Sequence, residues 1–124
     1  GCQAEIGSAS GMAAAAICSV RGGSEAQMGY ACAMALKNLM GLVCDPVAGL
    51  VEVPCVKRNV GGAVNALAAA DMALAGIASH IPVDQVIDAM GEVGMKMDVS
   101  LRETSMGGVA TSPKGLEIAE RLGM

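Results

Sequence analysis

Three cysteines, Cys2, Cys44 and Cys55, are the residues whose type and spacing could do chemistry. Cys44 and Cys55 bound the stretch CDPVAGLVEVPC, which breaks a chain that otherwise reads as helix. Pro46 pushes Asp45 out of helical geometry, and Pro54 does the same to Val53. A thiol on irregular backbone can point at something other than the core. Cys2 precedes an alanine-rich helical stretch and so stands at a helix N-terminus. There, unpaired N–H groups and the positive end of the macrodipole stabilise the thiolate, the form that binds metal. With 41 residues between Cys2 and Cys44 and 10 between Cys44 and Cys55, the spacing matches neither a ferredoxin run nor a zinc pair of the CxxC type. Three thiolates can hold three irons of a cubane cluster and leave the fourth open to hydroxyl and carboxylate oxygens. Zinc, a disulfide and plain burial are the other readings that this spacing leaves open. A structural zinc would need His80 or a carboxylate as its fourth ligand.

Composition bounds the rest. At 124 residues the chain makes one domain, 1–124, able to bury roughly two thirds of its unfolded-state surface. It is 53% apolar and 16% charged, with no Phe or Trp and one Tyr, so its core is Ala, Val, Leu and Met and its helices sit close together. So little charge implies outward faces covered by a further segment or another subunit. A first residue of Gly fits a fragment. The net charge of −4, without a basic stripe or aromatic platform, excludes a nucleic-acid binder. Asn65 and Asp71 interrupt the apolar run Val60 to Ser79, which therefore reads as a buried helix and not a membrane span. Five cysteines without short spacings point to a reducing cytoplasm.

The elements that must position the thiols follow from periodicity. Ala4 to Val20 is a helix whose inner face is Ile6, Ala9, Ala13, Ile17 and Val20. Ser24 and Gln27 form a capping box for a helix reaching Met40, with Met28, Ala31, Cys32, Ala35, Leu36 and Leu39 inward and Gly41 as its stop. Cys32 belongs to that stripe and Cys18 to the preceding helix, so both are core residues. Gly61-Gly62 opens a third helix, through Val64, Leu67, Ala68, Met72 and Ala75 to Ala78, and His80 follows its end as a cation suited to the dipole. Pro82 begins a fourth, with Val83, Val86, Ile87, Met90, Gly94 and Met97 inward. Pro113 to Leu122 closes the chain as a short helix. The expected fold is all-α, a compact bundle of about five helices around an irregular Cys-bearing central loop, with Cys44 and Cys55 both outside helix. A second polar loop, Arg102 to Pro113, offers Arg102, Thr104 and Ser105 as donors for a carboxylate, and Gly107 and Gly108 as places where backbone N–H groups approach a ligand. Arg58 and Asn59, just past the third cysteine, are expected to contact substrate or to support the thiols, or else to cap the following helix.

The segments GCQAEIGSASGMAAA, GLVCDPVAGLVEVPCVKRN and LRETSMGGVATSPKG closely resemble the C-terminal part of the α chain of iron-sulfur-dependent L-serine dehydratases, or L-serine ammonia-lyases. That resemblance makes the chain a fragment of the catalytic domain and maps the family's three cluster cysteines onto Cys2, Cys44 and Cys55. It implies an oxygen-sensitive [4Fe-4S] enzyme without pyridoxal phosphate that converts L-serine to pyruvate and ammonia. As partners it implies the remainder of the α chain, a β subunit or domain, and an oligomer. Single-chain members end in a cysteine tail, whereas nothing after Cys55 here is cysteine, which fits the type with a separate β subunit. Lys57, Glu52 and His80 are candidates for the base. A cysteine desulfhydrase-like relative, and a non-catalytic helical scaffold with buried or zinc-binding cysteines, are the alternative functions.

Overall fold

The computed structural model describes the whole chain, residues 1–124. Five α-helices carry it: α1 (Ser8–Val20), α2 (Glu25–Asn38), α3 (Cys55–Leu74), α4 (Val83–Lys96) and α5 (Pro113–Arg121). A wide π-helical turn, Gln3–Gly7, leads into α1, and short 3-10 turns fall at Val47–Gly49, Val99–Leu101 and Gly108–Thr111. No strand forms; a single isolated bridge pairs Cys44 with Arg102. The all-α expectation therefore holds.

Helix ends follow local chemistry. The capping box is complete: the Gln27 N–H donates to Ser24 Oγ at 3.2 Å, and the Ser24 N–H donates to Gln27 Oε1 at 2.9 Å. This satisfies two of the N–H groups that a helix start leaves unpaired. Beyond α2, Gly41 turns the chain at φ +90°, a conformation that a Cβ would disfavour. Pro113 takes the first position of α5, and the Gly115 N–H donates to Ser112 Oγ at 3.2 Å.

α1, α2 and α3 pack against one another around Ala14, Ala31, Ala35, Ala69, Ala70 and Ala73, each with 0% of its surface exposed. Small side chains let the helix backbones approach closely, and the dispersion contacts of that close fit compensate for the modest area that each alanine buries. Gln27 reaches the Ala73 carbonyl while Asn38 meets Asn65, so α2 runs antiparallel to α3. α4 lies on the other side of α2, with Val86 buried between Ala33 and Leu36.

Four sequence expectations need correction. The most buried residues of α1 are Ser10, Gly11, Ala14 and Cys18, with Ala13 and Ile17 packed at the margin of the core as expected, whereas Ala9 is exposed and Val20 is 88% exposed. Hydrophobic patterning selects the larger side chains, whereas close crossing selects the smaller ones; a Cβ on Gly11 would lie 3.1 Å from Leu36 Cγ. The same holds for α3, whose inner residues are Gly62, Ala66, Ala69, Ala70 and Ala73 while Val64 and Leu67 face outward. On α4, Ile87 likewise faces outward. Finally, α3 starts at Cys55, so Cys55 is not outside helix and Gly61-Gly62 is not the start. Gly62 lies inside the helix because a Cβ there would come 2.6 Å from Ile6 Cγ2, closing the contact between α3 and the first turn.

Candidate functional site

Two of the three thiols lie at helix starts. Cys55 occupies the first position of α3, after Pro54, and Cys2 flanks the π-helical turn that becomes α1. Cys44 sits on extended backbone, pinned to the second loop by two hydrogen bonds. Its N–H donates to the Leu101 carbonyl at 2.9 Å, and its carbonyl accepts from the Glu103 N–H at 2.9 Å. The first helix is anchored alongside: the Gln3 N–H donates to the Leu42 carbonyl at 3.0 Å, and Gln3 Oε1 accepts from the Gly41 N–H at 2.9 Å.

The three backbones bring Cys2 against Cys44 and place Cys55 within electrostatic reach of both. Cys2 and Cys44 share a small buried cluster with Ile6, bordered by Leu39 and Leu42, and Cys55 is also buried. Burial pushes the Cys44 thiol up to about 12, with the neighbouring Cys2 reinforcing it and Glu103 and Cys55 adding to it. The Cys55 thiol is raised first by burial and then by Cys2, against a lowering from its own backbone hydrogen bond and from Arg58. The raised thiols of Cys44 and Cys55 stay protonated unless a cation takes the proton's place. All five cysteines are free thiols. No three His, Cys, Asp or Glu side chains lie close enough together to hold one metal ion. The other two cysteines stay in the helical packing, Cys18 in the α1–α2–α3 core and half-buried Cys32 beside Leu36 and Val86.

Arg58 is tied into this group. Its Nη1 donates to Asp45 Oδ1 at 2.8 Å and to the Val43 carbonyl at 2.9 Å, and the guanidinium also approaches Cys2. Burial alone would lower its pKa, but the Asp45 carboxylate and Cys2 outweigh that and raise it. Of the uses expected for Arg58, the geometry matches support of the thiol loop, since its guanidinium is engaged by this chain's own carboxylate. Asn59 donates from Nδ2 to the Cys55 carbonyl at 2.9 Å, one helical turn back. It also lines a groove of about 200 Å³ between α1 and α3, with Ile6 and Ser10.

The second loop folds over the first. Ser105 Oγ donates to the Pro46 carbonyl at 2.6 Å, and the Val109 N–H donates to Asp45 Oδ2 at 2.7 Å. Thr104 Oγ1 donates to the Val99 carbonyl at 2.9 Å and remains exposed. Glu103 and Ser105 have φ of +69° and +57°, a left-handed conformation costing roughly 1–3 kcal/mol for residues other than glycine and held only where surroundings enforce it. Beside Cys44 opens a cavity of about 340 Å³ lined by Gly1, Ala4, Glu5, Arg102 and Glu103.

A family model described as "Serine dehydratase alpha chain" matches residues 1–110. The chain belongs to this family. Among the family's proteins, the "Probable L-serine dehydratase, alpha chain" of Bacillus subtilis (strain 168) is 63% identical over 122 residues, covering 98% of this chain and 41% of that protein. The protein of the same name from Latilactobacillus sakei is 61% identical over 118 residues, 95% of this chain and 56% of its own length. The "L-serine dehydratase, alpha chain" of Peptoniphilus asaccharolyticus is 53% identical over 118 residues, 95% of this chain and 40% of its own. This member thus spans 41%, 56% and 40% of the lengths of the three relatives.

Within this family chain, sequence reasoning passed over Asp45, Glu5 and Glu103. Asp45 was visible as an acidic residue between a cysteine and a proline, a place where an Asp side chain commonly bonds nearby backbone. Glu5 and Glu103 carry no such signal, because only tertiary contact brings them beside Cys44. The base candidates Glu52, Lys57 and His80 are all exposed, and His80 lies on the α3–α4 connection, after Ser79, which accepts a hydrogen bond from Lys37.

Proposed function

We propose that this chain is the thiolate-bearing part of an L-serine dehydratase, in which Cys2, Cys44 and Cys55 hold a [4Fe-4S] cluster. The observation that carries this reading is the meeting of three buried thiols from three separate backbone elements, beside an arginine and an open polar cavity. The donor set fits such a group. The Arg58 guanidinium, which approaches Cys2 and lowers the Cys55 thiol, offsets accumulating negative charge. Three cysteines without a clear fourth ligand suit a multinuclear centre with one open iron better than a four-coordinate structural zinc.

The reaction is removal of the α-proton and of hydroxide from L-serine, with the resulting aminoacrylate hydrolysing to pyruvate and ammonia. When bound, the cluster would supply an open iron as Lewis acid for the departing hydroxyl, no pyridoxal phosphate being required. The chain's own contribution is orientation. Thr104, once its hydroxyl turns from the Val99 carbonyl, and the backbone N–H groups of Gly107 and Gly108 are donors for the substrate carboxylate, and Asn59 borders the groove next to the first turn of α3. Arg58 keeps the thiol loop in register. The remainder of the α chain and a β subunit complete the site in an oligomer, as the relatives' "alpha chain" names support. No helix is long and apolar enough to cross a membrane, and a centre built on reduced thiolates suits the cytoplasm.

Anaerobic preparation of the full-length protein, followed by iron, sulfide and zinc analysis and a pyruvate assay with L-serine, tests this. Iron with sulfide and serine-dependent pyruvate are expected. One zinc without iron would overturn it in favour of a scaffold, and faster turnover of L-cysteine than of L-serine would reassign it as a desulfhydrase.

A further inference from the structure

We propose that Asp45 is a positioning residue that locks the second loop, Arg102 to Pro113, onto the cysteine loop, so that the thiols and the substrate-facing backbone keep one geometry. Asp45 is only 3% exposed, and both of its carboxylate oxygens are used. Oδ1 accepts from Arg58 at 2.8 Å and Oδ2 from the Val109 N–H at 2.7 Å. Arg58 belongs to the first turn of α3 and also holds the Val43 carbonyl at 2.9 Å, on the other side of Cys44. One carboxylate therefore joins the flanks of two cysteines to the second loop.

The second loop is shaped to receive it. Gly108 has φ +63°, and a Cβ there would overlap the Asp45 carboxylate. The chemistry requires Asp at position 45. Both neighbours are donors, and an asparagine has a single acceptor oxygen, so either orientation of its amide would turn N–H groups against an N–H donor. A buried donor left without its charged acceptor loses more than an ordinary hydrogen bond.

The kinetic arm of the test rests on the dehydratase reading, whereas the structural arm does not. Asp45→Asn and Gly108→Ala, made in the full-length protein, disturb the same contact from opposite sides. In cluster-free protein, hydrogen exchange at the Val109 amide should accelerate about ten-fold or more in each variant while the α1–α3 core keeps its protection. In iron-loaded protein, Gly108→Ala should bind as much iron as the parent and raise KM for L-serine more than it lowers kcat. Unchanged exchange at Val109 in Asp45→Asn overturns the proposal; should that variant not fold, unchanged exchange in Gly108→Ala does so. If Val109 responds but neither parent nor variants turn over L-serine, the positioning role stands and the dehydratase reading falls.

Discussion

Ser10 on α1 and Gly62 on α3 are joined where the two helices cross: the Ser10 hydroxyl donates to the Gly62 carbonyl at 2.7 Å and accepts from Asn65 Nδ2 at 2.9 Å. Asn65 in turn donates to the Ala35 carbonyl on α2 at 3.0 Å, so a three-residue polar relay spans the three core helices. Its members are satisfied, as a buried polar group must be.

Ser10→Ala should destabilise the fold by about 1–3 kcal/mol, because Asn65 loses an acceptor and the Gly62 carbonyl a donor at a largely buried crossing. Denaturant unfolding of the parent and the variant gives the number. A shift within a few tenths of a kcal/mol would show that the relay adds nothing to stability.

The alanine core makes an opposite pair of predictions. Ala70→Leu, at a position with no exposed surface, should cost about 1–3 kcal/mol by overpacking. Val60→Ala, on the outward face of α3 at 61% exposure, should change stability by about 0.5 kcal/mol or less. Thermal melts of the two variants should separate clearly.

Cys18 and Cys32 should be dispensable to any metal centre. In the full-length protein, Cys18→Ala and Cys32→Ala should retain parental iron content at a packing cost of about 1–2 kcal/mol, whereas Cys2→Ala, Cys44→Ala and Cys55→Ala should each lose it. Loss of iron from the Cys18 variant at retained folding would contradict this division.

The raised thiols give the cluster-free protein an alkaline limit. Cys44 ionises near 9.0 when unfolded and at about 12 when folded, so between these values the native state keeps a proton that the unfolded state releases. Its contribution to stability is full below about pH 9 and is lost as pH rises towards 12. The melting temperature of cluster-free protein should therefore fall over that range, and Cys44→Ala should flatten part of the decline. Alkylation of Cys44 near neutral pH should be slow compared with an exposed thiol.

Local signals were enough to read most of the helices and their caps. Ser24 with Gln27, Gly41, and Ser112 with Pro113 act over one helical turn, and their physics is complete within a few residues. Prolines at 46 and 54 likewise announced the irregular loop between Cys44 and Cys55. The facing of α2 was legible in its stripe of Met28, Ala31, Ala35 and Leu36, but that of α1 and α3 was only partly so, because hydrophobic periodicity weights side-chain size, whereas this core is built from the residues small enough to let backbones touch. The start of α3 at Cys55 was hidden by Gly61 and Gly62; Gly62 is held within the helix by its close contact with Ile6. The partners of Asp45 depended on tertiary structure most of all. A carboxylate has no sequence mark for the donors it will meet, and only folding brings Arg58 and the Val109 N–H, 13 and 64 positions away, to its two oxygens.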